Sequence, residues 1–512
     1  MNRGRIALVL ALFLLILQLA FTALVRGYVV PHLTPTSHWA YGLAKDSDSQ
    51  VFHETAVLLA DRMRLFGWDQ INHEQFEGMT HTKILASLYF LSGSDSPYLT
   101  YVLNALLLTG SGLLVFALLL RRDVRPVMAA LGSAIVTCGP MVLFAHSEVL
   151  REPFILPMLL VFVLGLLAML EPMTAAGVGR WRQMIAGGAL VMIGFAGAVA
   201  FRPYLMLPLI IALALSAGVV IASVVTARSR SVFSWHQTLA LLAITVALVF
   251  LYVLPRGHHA QQYSDESVTG QPSLGFSSAA IVINERGEKE LVDLDRWRAV
   301  LAAKKDKRTL TRADFMVPHW CTVEWKHSAW VPGSIDGKLQ AMACARQDYL
   351  RFCDESLLGL RADRGCDSKE FESAMDVVLH VPRAVFFALF VPFPDMWLNS
   401  FGSGGTGLRR IGYVIDGIVD YTLLAGLVLC ASRLRRSNPE ILVAAAALVA
   451  MLTIYGLAVP TQFVLARLRL GMFTPLLALG AAGWLRWLQD RRAQPEIHPL
   501  VVSREARGAS GA

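Results

Sequence analysis

Apolar residues fall along the chain in blocks of about 18–23 with few charges inside them, the length of helix that crosses ~30 Å of hydrocarbon. Ten such blocks stand out: Ile6–Val25, Tyr98–Leu120, Val127–Ala145, Phe154–Leu170, Met184–Phe201, Leu205–Thr226, Leu239–Leu254, Ile411–Ala431, Ile441–Val459 and Leu470–Trp487. Two long stretches interrupt the alternation, Arg26–Pro97 and Pro255–Phe401. In the first, Val51, Ala56, Leu58, Leu59, Met63 and Phe66 predict an amphipathic helix over Val51–Phe66 lying on the membrane surface, with a shorter helix over Thr82–Leu91 after it. In the second, Ile281–Ile283, the charged turn Asn284–Gly287 and Glu288–Val292 predict a hairpin. The spacing of Leu339, Met342, Ala343, Arg346, Tyr349 and Leu350 predicts a helix from Asp336 to about Phe352. Arg383–Trp397 is apolar but too short, and too broken by Pro382, Pro392 and Pro394, to span; it reads as an interfacial or re-entrant segment anchored by Trp397. Scattered Arg, Pro, Gly and Ser after Gln489 predict a disordered tail, and no internal repeat is visible.

The fold class that follows is an all-α polytopic membrane protein of about ten transmembrane helices. Surface helices occupy its first outer loop, and a small disulfide-bearing α+β outer domain is inserted between the seventh and eighth spans. The corresponding divisions are 1–254 (with the loop 26–97), 255–401, 402–488 and 489–512.

Composition agrees: 55% of the 512 residues are hydrophobic and 16% are charged, against about 45–50% and 25% in soluble domains. This excludes a soluble enzyme and a disordered chain. The net charge of +8 would point to nucleic acid in a soluble protein, but here the placement of charge matters more than its sum. With the N-terminus on the cytoplasmic side, Arg3/Arg5, Arg121/Arg122/Arg125, Arg180/Arg182, Arg228/Arg230, Arg433/Arg435/Arg436 and Arg491/Arg492 all fall inside, as the positive-inside rule requires. Both termini are then cytoplasmic in the plasma (inner) membrane, and no nucleic-acid partner is implied. The first block lacks a clear small-x-small cleavage site and reads as an uncleaved span. Four of the six cysteines (Cys321, Cys344, Cys353 and Cys366) share the second outer segment, while Cys138 and Cys430 lie in spans. An even set on the outer face implies up to two disulfides in an oxidising compartment, with three pairings possible.

The first outer loop is dense in polar groups, Lys45-Asp46-Ser47-Asp48-Ser49-Gln50-Val51-Phe52-His53-Glu54. Asp46 and Asp48, at the mouth of a membrane bundle, can supply a base near a lipid-borne substrate; otherwise one of them caps the helix that begins near Ser49. Basic residues also stand where the orientation rule disfavours them: Arg151 in His146–Pro153, Arg202 in Arg202-Pro203-Tyr204, and Arg467 and Arg469 in Ala466–Arg469. Arginines at the outer mouth need an anionic partner. Glu148, Glu152, Asp416 and Asp420 can serve internally, or a ligand phosphate can serve through paired hydrogen bonds. Asp416 and Asp420, one turn apart in the eighth span, are expected to pair with Arg409, Arg410 or Arg469, a proton relay being the alternative.

An N-terminal span followed by an outer loop in which Asp-x-x-x-aromatic enters a surface helix resembles the GT-C glycosyltransferases, which include protein O-mannosyltransferases and lipid A aminoarabinose transferases. Their Asp-Glu-x-x-aromatic motif holds the catalytic carboxylate. Asp48-Ser49-Gln50-Val51-Phe52 matches the Asp and the aromatic, while Ser49 replaces the second carboxylate. The match covers roughly the first 210 residues and the general span pattern. It implies a polyprenyl-phosphate-linked sugar donor held by basic residues at the outer ends of spans. It leaves open whether Asp46 or Glu54 shares the work and whether a divalent metal takes part.

The expectation is therefore an outward-facing, inverting sugar transferase among membrane lipids, with a glycan, lipid or protein as acceptor. Asp48 (or Asp46) acts as base, and Arg151, Arg202, Arg467 and Arg469 hold the donor phosphate. His81, Lys83, Glu148 and Glu152 contact substrate, and the disulfide-bearing loop covers the site. A glycan polymerase or ligase using Arg or His of Pro255–Pro382 and a lipid-linked glycan flippase are the competing classes. Gly402-Ser403-Gly404-Gly405-Thr406-Gly407 fits the dinucleotide pattern, but no strand precedes it. His258-His259 and the other outer histidines lack the ligand spacing of a zinc site.

Overall fold

The computed structural model describes residues 2–33, 40–43, 48–72, 79–171, 178–227, 235–252, 279–283, 289–293, 323–354, 366–391, 393, 406–434 and 439–493. The apolar blocks become helices: α1 (Arg3–Leu24), α4 (Tyr98–Arg121), α5 (Pro126–Thr137), α6 (Pro140–His146), α7 (Glu152–Leu170), α8 (Val178–Phe201), α9 (Met206–Ala227) and α10 (Trp235–Tyr252). The first loop contributes α2 (Asp48–Phe66) and α3 (Thr80–Ser92). The C-terminal half contributes α11 (Gly333–Asp354), α12 (Ala374–Phe390), α13 (Thr406–Leu434), α14 (Pro439–Ala458), α15 (Gln462–Leu468) and α16 (Leu470–Ala493).

The protein is a polytopic helical membrane protein. Among the described residues seven helices are long and apolar enough to cross a membrane, or eight if the bent pair α5–α6 is one span. This corrects the expected ten. The described apolar stretch of α10, His236–Leu248, is short. Thr474, Pro475, three glycines, two tryptophans and Arg486 dilute α16. Its Met472, Phe473, Leu476, Ala478, Leu479 and Ala482 are buried, and a helix shielded by protein need not be apolar throughout.

The third block is also not one straight span. The chain bends by 68° between α5 and α6, where Pro140 has no N–H to continue the helix and starts a new one instead. Asp416 of α13 satisfies the new N-terminus, its Oδ2 accepting from Met141 N at 2.8 Å. A Cβ at Gly139 would sit 2.8 Å from Asp416 Oδ1, so a larger residue there would make the carboxylate shift.

Small residues set the interhelical spacing elsewhere. A Cβ at Gly194 of α8 would lie 2.5 Å from Phe162 N of α7, and one at Gly480 of α16 would lie 2.0 Å from Leu423 O of α13. Such backbone approaches are how helices gain packing energy in lipid. α7 is enclosed on nearly all sides. At its far end, Arg122 pairs with Glu440 at 2.5 Å, both side chains at most 2% exposed.

α12 begins ahead of the segment expected from Arg383, because Ser373 caps it: its side chain accepts from Asp376 N. Pro382 lies inside this helix rather than breaking it. Val377, Ala384, Phe387 and Ala388 are buried, whereas Val378, Leu379 and Phe386 are exposed. α11 covers the expected Asp336–Phe352 helix. Its Arg346 is fully buried, donating to Asp367 O at 2.8 Å, Leu457 O at 2.9 Å and Lys369 O at 2.7 Å, and pairing with the Asp367 carboxylate at 2.8 Å. His380 meets the same carboxylate at 2.6 Å, and Asp367 N donates to Pro460 O at 3.0 Å. α11, α12 and residues 366–371 are thus fastened to the turn between α14 and α15.

Two strands, β1 (Ala279–Ile283) and β2 (Lys289–Asp293), pair antiparallel with Ile281 opposite Leu291, where the hairpin was expected. Cys344 and Cys366 are each engaged in a disulfide, and Cys138 is free. Cys321, the side chains of Cys353 and Cys430, Asp46, His258-His259, residues 402–405, Trp397 and the tail after Ala493 lie outside the described residues.

Candidate functional site

The starts of α2 and α7, the α8–α9 connection and the end of α15 meet at one end of the bundle. Asp48 opens α2, and its Oδ2 accepts from Arg467 Nη2 at 2.5 Å. Arg467 Nε lies 3.4 Å from Glu152 Oε1, and that oxygen accepts from Arg202 Nη2 at 2.6 Å. Signs therefore alternate along Asp48, Arg467, Glu152 and Arg202. Local sequence explains the placement. Pro153 starts α7 and puts Glu152 in its first turn, where a carboxylate suits the helix dipole. Pro203 holds Arg202 extended (φ −141°, ψ 90°) between two helices, so its side chain leaves the helical register.

Arg151 completes the cluster. Its guanidinium lies 4.6 Å from the Phe52 ring centroid, and it forms no ion pair with a described residue. Phe52 is one turn after Asp48, so the two ends of Asp-x-x-x-aromatic share a helix face and meet different cations. Among the described residues three guanidiniums (Arg151, Arg202, Arg467) face two carboxylates (Asp48, Glu152), a surplus of one positive charge. Burial pulls the Arg467 pKa down, but Glu152 and Asp48 outweigh it and raise the net value. Burial lowers that of Arg151.

Glu148 is partnered inside the protein. Arg26 pairs with it at 2.8 Å and Ser49 Oγ donates to it at 3.1 Å, so it fixes the first turn of α2 beside Asp48. Arg26 was missed from sequence, although it shows the same signal as the others: an arginine at the end of an apolar block. Arg469, expected beside the phosphate, is enclosed instead. It pairs with Asp420 at 2.9 Å, donates to Ala388 O at 2.8 Å and Leu389 O at 2.9 Å, and sits 3.7 Å from the Phe473 ring centroid. These contacts leave it holding α12 against α13. Lys83 follows His81 by two residues, about 200° around α3, and forms no ion pair with a described residue.

Three tyrosines were also missed, because aromatic residues near span ends are common anchors. Arg202 lies 5.7 Å from the Tyr204 ring centroid, and Tyr204 lies 6.1 Å from Tyr455. Tyr349 of α11, close enough to feel Tyr204, Arg202, Arg467 and Asp48, has its hydroxyl pKa pushed up to about 12 by burial. Among the described residues no group of three His, Cys, Asp or Glu side chains is placed to hold a metal ion.

His81 is buried edge-on against Phe52 (5.2 Å) and Phe154 (5.3 Å). Burial, reinforced by Arg151, drives its pKa down to about 3. It is therefore neutral at physiological pH and acts as an uncharged spacer beside the arginines. Between pH 6.5 and about 3 the unfolded chain binds a proton here that the folded one does not. Stability is thus full above 6.5 and falls as the pH drops toward 3. His81→Gln is expected to flatten the fall of thermal midpoint with acidification across that window; an unchanged slope would show that the site does not contribute.

No protein-family model, curated protein or solved structure matches the chain. What stands is a helical, multi-pass membrane protein whose helices gather Asp48, Glu152, Arg151, Arg202 and Arg467 at one end of the bundle.

Proposed function

We propose that the chain is an inverting, GT-C-type glycosyltransferase that takes a sugar from a polyprenyl-phosphate donor and passes it to a cell-envelope glycan, lipid or protein. The observation that carries this reading is Arg151, a guanidinium without an ionic partner among the described residues, in a cluster of surplus positive charge beside Asp48. Such a cluster suits a phosphate anion. The Arg-rich connections at the opposite span ends support an outward orientation with both termini inside, as does the engagement of Cys344 and of Cys366 in disulfides. Nucleotide sugars are confined to the cytoplasm, so an outward site needs a donor carried on lipid.

In the reaction Asp48 takes the proton from the acceptor hydroxyl as its oxygen attacks the anomeric carbon. The bond from that carbon to the phosphate oxygen breaks on the opposite side, and the phosphate leaves with the electron pair. Arg151, Arg202 and Arg467 stabilise the negative charge gathering on it. α11, with Tyr349, covers the site from the outer segment. The test offers a panel of polyprenyl-phosphate sugars to reconstituted protein and measures polyprenyl phosphate released. Arg151→Gln is expected to raise the donor KM by roughly 10–100-fold, the scale of a lost charged hydrogen bond. Failure of every donor to release its phosphate, or an unchanged KM in the variant, rejects the reading.

A further inference from the structure

Resting on the phosphate reading above, we infer that the donor phosphate and Asp48 compete for Arg467, so that donor binding releases the base. Asp48 Oδ2 is engaged by Arg467 Nη2 at 2.5 Å. That bond takes one of the carboxylate's lone pairs and holds the group turned toward Arg467. Parting the pair frees the whole carboxylate to turn toward an acceptor, and the geometry points to what parts it.

Exposure separates the two halves of the cluster. The Glu152 and Arg202 side chains are 5% and 6% exposed, whereas those of Asp48 and Arg467 are 25% and 24% exposed. An arriving anion therefore reaches Arg467 on its Asp48 side and leaves the buried Glu152–Arg202 pair intact. Arg151, stacked on Phe52 and without an ionic partner among the described residues, offers the first contact. The donor's phosphodiester presents two unesterified oxygens and can take Arg467 through two parallel hydrogen bonds, where Asp48 holds it through one oxygen. The exchange replaces one anion on Arg467 by another, so the buried charge stays balanced. It leaves the Asp48 carboxylate free next to the phosphate, and hence beside the anomeric carbon bonded to it. Arg467 is in this scheme a positioning residue as well as a phosphate ligand: it holds the base out of use until the donor is present, which guards against hydrolysis of a sugar that is only partly bound.

Competition has a reciprocal consequence. If phosphate displaces Asp48, then Asp48 weakens phosphate binding by the same factor, and its removal must strengthen it. The test measures binding of farnesyl phosphate to the purified full chain in nanodiscs, for wild type, Asp48→Asn, Asp48→Ala, Arg467→Gln and Arg151→Gln. Farnesol serves as a phosphate-free control, and thermal midpoints confirm folding. Both Asp48 variants are expected to bind roughly two- to fivefold more tightly, the range of a partly exposed ion pair. Arg467→Gln and Arg151→Gln are expected to bind more weakly, and farnesol to show no Asp48 dependence. Wild-type binding that Arg151→Gln weakens but neither Asp48 variant strengthens would overturn the competition and leave the phosphate reading standing. No saturable binding by any form would end both.

Discussion

Replacing Asp48 by Asn is expected to lower sugar transfer by about 10²–10⁴-fold, the usual contribution of a positioned base, while the protein folds as before. Asn preserves the shape and an oxygen that accepts from Arg467, but it cannot take a proton. Phe52 still supports Arg151 from the same helix face, so the phosphate contacts survive and the loss falls on kcat. Glu152 is no substitute, being 5% exposed and held by Arg202 at 2.6 Å. Single-turnover transfer in reconstituted membranes, with the thermal midpoint measured alongside, reads both quantities. Full activity would remove the base and favour a polymerase or ligase working through arginines or histidines of residues 255–382.

The second large effect is expected away from the site, at Arg346. This guanidinium and the Asp367 carboxylate are 0% and 1% exposed, and between them they tie α11, α12 and the α14–α15 turn together. Arg346→Met removes the buried counter-charge of Asp367 and leaves it His380 at 2.6 Å and the exposed Arg383 at 3.0 Å. Removing one partner of a buried pair typically costs about 3–5 kcal/mol, so a marked fall in thermal midpoint follows. Transfer should fall with it, because the loosened turn at Leu457 and Pro460 leads directly into α15 and Arg467. Adding Asp367→Leu is expected to recover part of the stability by removing the stranded charge, and the double-mutant cycle measures the coupling. A midpoint within a degree of wild type in Arg346→Met would show that the clamp contributes little.

Periodicity was enough to place α2 and α3 in the first loop and α11 in the second, since a 3.6-residue apolar repeat needs only one buried face to be visible. It failed at Pro140, where the helix breaks, and at α16, whose polar and small residues are shielded by neighbours rather than by composition. It misplaced the start of α12 because the cap at Ser373 is a single hydrogen-bonded residue without periodic signature.

The candidate site divides along the same line. Wrong-side charge singled out Arg151, Arg202, Arg467 and Arg469 as equals, because hydropathy and charge placement depend only on position along the chain. Their partners are set by contacts between residues far apart in sequence. Asp48 and Arg467 meet across the whole bundle, Glu152 bridges Arg467 to Arg202, and Asp420 encloses Arg469. By itself the sequence determined a helical membrane protein and an arginine-rich end beside Asp48, since insertion in lipid leaves its mark on every span. Only the tertiary structure decided which arginine is internally neutralised and which has no ionic partner among the described residues, because that depends on which carboxylate the packing of other helices delivers to it.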